Sequence, residues 1–253
     1  MTMEGKVAVI TGGAMGIGRY IAKTFGEAGY KVAIIDIADM EASAKDIRQT
    51  EAEVLTVHAD LTKEEEVKAG IEKIIETFGR IDVLINDHGI VTHFQWGVPR
   101  WPRVKDMDKA FFDKVINTNL GGTFLTCKHV IPYMEKQGGG HIINFGQGAG
   151  MTGGDSIGAL AYGTSKAAIA VFSRALAHEE KDHNIVVISM SPGGAIAGEY
   201  APQEHRDRMP GPESVQGSFV KAAQLTMADS GKQAVARDGE VVVSGEPMRE
   251  VRS

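Results

Sequence analysis

The sequence predicts an α/β fold, a single doubly wound domain over residues 1–253, with a mostly parallel seven-stranded sheet and helices on both faces. Three observations predict it. Short apolar runs alternate with segments of helical period along most of the 253 residues, the pattern of a parallel sheet covered on both sides. The first run, Lys6–Ile10, passes straight into Thr11-Gly12-Gly13-Ala14-Met15-Gly16-Ile17-Gly18 and then into a helical pattern. The second, Val32–Ile35, ends on Asp36, about 20 residues beyond the glycines, where a ribose-binding carboxylate follows a phosphate loop.

The elements follow in order. After the glycine stretch, Ile17, Ile21, Thr24 and Phe25 fall on one helix face. Helix N-terminal amides have no intrahelical partner and carry partial positive charge, so a glycine loop opening such a helix suits a pyrophosphate. Glu53–His58 reads as the third strand, ending near Asp60; Thr62 then reads as an N-cap, with Glu65 as its capping-box partner. Val67, Ile71, Ile74, Ile75 and Phe78 line one side of the helix that follows, and Glu64-Glu65-Glu66 reads as its solvated first turn. Ile81–Ile85 is the fourth strand, ending in Asn86-Asp87-His88-Gly89. From Ile90 to Lys105 the helical period is lost; this stretch carries both tryptophans, Trp96 and Trp101, and reads as a substrate-side loop. A helix resumes near Asp106 and runs with little break to Lys136, stopped by Gly138-Gly139-Gly140. His141–Phe145 is the fifth strand, Leu160–Lys181 a helix, Asn184–Met190 the sixth strand, and Glu240–Ser244 the last. Residues 194–216, rich in proline, glycine and charge, read as a lid beyond the sixth strand.

Composition narrows the function classes. A net charge of −6 offers no general attraction to nucleic acid or an anionic membrane. The single cysteine, Cys127, excludes an intrachain disulfide, and packing is the expected role for it. No signal-peptide layout or bilayer-length apolar run is present, so a cytoplasmic location is expected. His88, His93 and Asp87 do not have the spacing of a standard metal site, and no metal is expected.

With these motifs placed, the chain resembles the classical short-chain dehydrogenase/reductase family, which has a Rossmann-type fold, over nearly its whole length. Thr11-Gly12 through Gly16 and Gly18 is similar to the family's TGxxxGxG, Asn86-Asp87-His88-Gly89 stands in place of its NNAG, Tyr162-Gly163-Thr164-Ser165-Lys166 matches YxxxK, and Pro192-Gly193 matches its PG turn. The resemblance implies cofactor contacts at Gly12, Met15, Gly16, Ile17, Gly18, Asp36, Asp60, Leu61, Asn86, His88, Tyr162, Lys166, Pro192 and Gly193. It implies catalysis by Tyr162 as acid/base, by Lys166, which tunes the phenol and holds the nicotinamide ribose, and by Asn119, which holds a relay water. Tyr162 and Lys166, four apart, share a helix face, and a neighbouring ammonium is expected to lower the phenol's pKa. Asp36 favours NAD over NADP, because a carboxylate accepts from ribose hydroxyls and repels a 2′-phosphate. The implied reaction interconverts a small-molecule secondary alcohol and a ketone, and the implied assembly is a homotetramer or dimer.

Two departures stand out. The family's catalytic serine position is Gln147, whose amide can donate to a carbonyl; Thr152 or Ser156 folding back is the alternative. His88 replaces a small residue beside the cofactor and reads as a structural neighbour of it rather than a proton carrier. These departures also motivate two other readings: a nucleotide-binding regulatory protein without turnover, and an isomerase or dehydratase on the same fold.

Overall fold

Each apolar run forms a strand of one sheet in the computed structural model, which describes residues 3–90, 102–146, 159–194, 196–199 and 203–245. The strands are β1 (Val7–Thr11), β2 (Lys31–Asp36), β3 (Val54–His58), β4 (Val83–Asn86), β5 (Gly140–Phe145), β6 (Ile185–Ser191), β7 (Gln233–Arg237) and β8 (Glu240–Ser244). They lie in the order β3-β2-β1-β4-β5-β6-β7-β8, all parallel except β8, which pairs antiparallel with β7. Among the described residues the sheet therefore has eight strands, not seven. The additional strand, Gln-Ala-Val-Ala-Arg, has only small or single apolar residues, and its signal lies in the turn after it. Asp238 and Gly239 both have positive φ (51° and 74°), the Asp-Gly chemistry of a tight hairpin.

The helices are α1 (Gly16–Glu27), α2 (Glu41–Arg48), α3 (Glu64–Phe78), α4 (Lys109–Ile116), α5 (Gly122–Gln137), α6 (Leu160–Glu179), α7 (Gln203–Arg206) and α8 (Gln216–Ala222). Neighbouring residues on a strand bury on opposite faces. Ile10, Ile34 and Ile188 pack with Ile21 and Phe25 of α1 and Phe219 of α8. Val9, Ile35 and Val187 pack with Val67 and Ile71 of α3, Val130 of α5 and Leu176 of α6. Burial on both faces accounts for unbroken apolar runs where an exposed sheet would alternate. No helix among the described residues is long and apolar enough to cross a membrane.

Two local expectations change. Thr62 is not the cap of α3: Lys63 holds that position without a side-chain cap, and the Thr62 hydroxyl donates instead to Asp60 (2.7 Å). Glu66 reaches back to accept the Asp60 backbone N–H (2.8 Å), so the acidic first turn ties down the β3–α3 loop. The helix expected from Asp106 to Lys136 is interrupted by a π-helical turn, Asn117–Gly121, between α4 and α5, a feature concentrated at functional sites.

The sheet order reverses between β1 and β4, where Thr11 stands opposite Asn86. A buried polar network braces this point. Asn86 Nδ2 donates to Asn144 Oδ1 (2.8 Å), Thr126 Oγ1 donates to Asn86 Oδ1 (2.7 Å), and Asn144 Nδ2 donates to Ser173 Oγ (3.0 Å). Satisfied buried polar groups are directional, so β4, β5, α5 and α6 are held in register beneath the crevice where doubly wound sheets bind ligands.

Candidate active site

At the carboxyl ends of β1 and β4 opens a cavity of about 1380 Å³, larger than an ordinary small-molecule pocket of ~300–1000 Å³. Its floor is the glycine loop. Gly12 has φ +72°, and a Cβ there would lie 2.7 Å from the His88 backbone. A Cβ on Gly18 would overlap the Gly12 carbonyl and stand 2.8 Å from Asp87 Oδ2. The loop is thus packed from below by the chain leaving β4, and only glycine fits. α1 begins without a side-chain cap, which leaves backbone donors for an anion. Asp36 accepts the Ala14 N–H (3.0 Å) through one carboxylate oxygen and the Ala38 N–H (2.9 Å) through the other, fixing the carboxylate at the rim.

Tyr162 and Lys166 lie on α6 and both open into this cavity. Lys166 is 5% exposed, and its ammonium donates to the Phe145 carbonyl (2.7 Å) and sits 5.8 Å from the Tyr162 ring centre. Burial pushes Lys166 down to about 8, opposed by the Asp87 charge. The phenol is not lowered as the spacing suggested. Loss of water around the ring, and then the Asp87 charge, push Tyr162 up to about 12, because both disfavour the charged phenolate.

Asn119 lies in the π-helical turn, wholly buried. Its Oδ1 accepts the Ile90 N–H (2.7 Å), and its Nδ2 donates to Ser165 Oγ (2.9 Å). It therefore pins the end of β4's loop to α6 one residue before Lys166. The Asn119 carbonyl accepts from Thr123 Oγ1 (2.8 Å), the kind of exchange a π-turn allows.

His88 accepts or donates through Nδ1 to Thr11 Oγ1 (2.7 Å). Burial, then the Lys166 charge, push it down to about 3 against a weak pull from the Thr118 carbonyl, and Nε2 meets no partner in hydrogen-bond geometry. Its surroundings therefore favour the neutral imidazole. Gly122 makes its room, since a Cβ there would overlap Nε2. Burial works against ionisation of Asp60, yet the Thr62 hydroxyl and N–H and the Lys63 ammonium hold its carboxyl below the usual range. Cys127 is pushed up to about 12 by burial, an inert packing thiol.

The expected contact residues are largely brought together. Gly12, Met15, Gly16, Ile17, Asp36, Asp60, Leu61, His88, Tyr162, Lys166 and Pro192 all line the one cavity. Gly18, Asn86, Asn119 and Gly193 do not. Gly18 lies under the loop, Asn86 and Asn119 belong to buried networks, and Gly193 turns toward β7, where a Cβ would be 2.5 Å from the Ala236 carbonyl. Gln147, Thr152 and Ser156, with His93, Trp96 and Trp101, lie outside the described residues. The sequence reading gave no cofactor-site role to two carboxylates that reach the glycine loop. Glu199 lies beside α1, its Oε2 accepting the Gly16 N–H (3.4 Å) and its Oε1 3.8 Å from Arg19. Asp87 reaches the Gly18 amide. No local pattern marks Glu199, and the Asn86-Asp87-His88-Gly89 departure marks the position of Asp87 but not its reach to α1.

A glycine loop opening a helix, glycines that admit no side chain, a rim carboxylate and a large cavity define a dinucleotide-binding α/β protein, and the residues present fit that ligand. Residues 6–205 match the family model for short chain dehydrogenases. The chain belongs to the short-chain dehydrogenase/reductase family, oxidoreductases that bind a nicotinamide dinucleotide. It is 35% identical over 195 residues to an uncharacterised oxidoreductase of Thermotoga maritima, covering 76% of this chain and 73% of that one. It is 36% identical over 192 residues to secoisolariciresinol dehydrogenase of Forsythia intermedia, covering 76% and 66%. A crystal structure of a short-chain type dehydrogenase/reductase from Mycobacterium marinum is similar with a TM-score of 0.79 at 28% identity, covering 94% of this chain and 95% of that one.

Proposed function

We propose that this chain is an NAD-dependent oxidoreductase that interconverts a secondary alcohol and a ketone. One observation carries the reading: Tyr162 and Lys166 open into the same cavity as the glycine loop and Asp36. A nicotinamide dinucleotide bound there supplies the hydride acceptor or donor. The rest is done by side chains. Tyr162, pushed up to about 12 by burial and Asp87, carries its proton at neutral pH and donates it to a ketone oxygen in reduction. In oxidation it takes the alcohol proton, increasingly as pH rises toward that value. Lys166 supplies donors for ribose hydroxyls and positive charge beside the phenol. Asn119 holds the relay water of the family pattern, and Gln147 serves as the carbonyl donor in place of serine. Stopped-flow absorbance of NADH against a panel of ketones and secondary alcohols tests the reading; product formed without net NADH change would instead indicate an isomerase or dehydratase.

The choice of NAD rests on Asp36. Met15 and Ile17 in the loop and Ile37 after β2 bring no positive charge to a 2′-phosphate, and Arg19 is held by Asp46 (2.8 Å). Asp36→Ala is expected to weaken NAD+ binding about 10- to 100-fold, the worth of hydrogen bonds to a charged group, and to narrow the preference over NADP+. Isothermal titration with both dinucleotides measures this; an unchanged ratio would remove Asp36 from cofactor selection.

Glu199 places a carboxylate at the α1 N-terminus, in competition with a pyrophosphate. Glu199→Gln is expected to tighten NAD+ binding about two- to fivefold at low ionic strength, with the gain shrinking in salt. A homotetramer or dimer built on α5 and α6 is supported on α6 by the exposed Leu160 and Val171.

A further inference from the structure

Asp87 follows β4 directly, at the point where the sheet order reverses. Its carboxylate lies against the first turn of α1 and accepts the Gly18 N–H. Because α1 has no cap of its own, a side chain from another strand takes one of its orphan amides. Asp87 also opens into the cavity that Tyr162 and Lys166 line. The charged and titratable groups facing it are Lys166 and Tyr162 from α6, Asp36 from the end of β2, and the adjoining neutral His88. Lys166 is buried with a carbonyl as its hydrogen-bond partner, and Asp87 is the carboxylate whose charge it feels. The carboxylate therefore stands between the helix end that suits a pyrophosphate and the ammonium that serves the phenol.

We propose that Asp87 is a positioning residue of the Tyr162–Lys166 pair: a half-buried, titratable counter-charge that, when ionised, holds Lys166 as an ammonium and opposes both the Tyr162 phenolate and a dinucleotide pyrophosphate on α1. This rests on the dinucleotide reading above. The sign follows from the burial of the carboxyl, which pushes it up to about 8 despite Lys166 and the Gly18 amide. Below that pH Asp87 is neutral and exerts no repulsion. Asp87 and Lys166 titrate as a pair, and as pH rises that pair ends one charge more negative than it would without the carboxyl, so phenol ionisation and pyrophosphate binding both become harder.

Asp87→Asn tests the charge, because asparagine keeps the shape and an acceptor for Gly18. The first measurement is the ultraviolet titration of tyrosinate, with the Tyr162 share isolated by subtracting the same titration on proteins that also carry Tyr162→Phe. The variant's phenol midpoint is expected to fall by about one pH unit; an unmoved or raised midpoint overturns the proposal. The second is NAD+ affinity at about pH 6 and about pH 9, on either side of the carboxyl's titration. The variant is expected to match wild type at the lower pH and to bind about three- to tenfold more tightly at the higher. A ratio that does not change with pH marks a merely structural residue and overturns the proposal. If the asparagine variant does not fold, Asp87→Ser, which also leaves an acceptor for Gly18, goes through the same titrations. If wild type binds no NAD+ at either pH, the dinucleotide reading has failed, and the phenol midpoint alone decides the role of Asp87.

Discussion

Tyr162→Phe is expected to lower kcat about 10²- to 10⁴-fold, the usual worth of a positioned acid or base, while NAD+ affinity stays within about twofold. The phenylalanine keeps the ring and its packing beside Lys166 and loses only the hydroxyl. Tyr162 has a phenol pushed up to about 12 by burial and by Asp87. It is therefore poised as a proton donor at neutral pH, and alcohol oxidation by wild type should gain rate as pH rises. The variant should show low, pH-flat residual turnover in both directions. Steady-state kinetics over a range of pH, paired with dinucleotide titration, checks both halves. Wild-type turnover in the phenylalanine protein would remove Tyr162 from the chemistry.

Gly18→Ala is expected to cost about 1–3 kcal/mol of stability, the range for overpacking a filled site, and most of the dinucleotide affinity. A Cβ there would overlap the Gly12 carbonyl and lie 2.8 Å from Asp87 Oδ2. The carboxylate could swing away, but the Gly12 backbone is itself held against His88. The strain must therefore pass into the loop that presents the α1 amides. Gly217→Ala in α8 is the control, because a Cβ there meets nothing within 4 Å. It should be neutral or slightly stabilising, by at most about 1 kcal/mol. Urea denaturation with NAD+ titration distinguishes the two; equal effects would show that glycine in the loop serves chain flexibility rather than close packing.

Much of the site was legible in the chain because its parts are local. The strand, glycines and helix from Lys6 to Phe25 are contiguous, and Tyr162 and Lys166 are one helical turn apart. The missed strand β7 shows the limit of apolar periodicity: its five residues carry little hydrophobic signal, and the Asp238-Gly239 turn was the feature to read. The cap assigned to Thr62 failed for a related reason. Thr62 donates its hydroxyl to Asp60 and Lys63 holds the cap position, and a pattern of residue types cannot fix which of two adjacent residues turns the chain into the helix.

Sequence alone determined seven of the strands, the glycine loop, the Tyr162–Lys166 spacing and the carboxylate of Asp36 at the end of β2, since each depends on spacing along a few turns of chain. Tertiary structure decided the charges around the phenol. Asp87 reaches the Gly18 amide from the end of another strand, Glu199 comes to the same helix from 183 residues along the chain, and loss of water drives Tyr162 and Lys166 in opposite directions from their ordinary values. Those effects depend on distance through space and on exclusion of water, and both come into being only when the sheet closes over its helices.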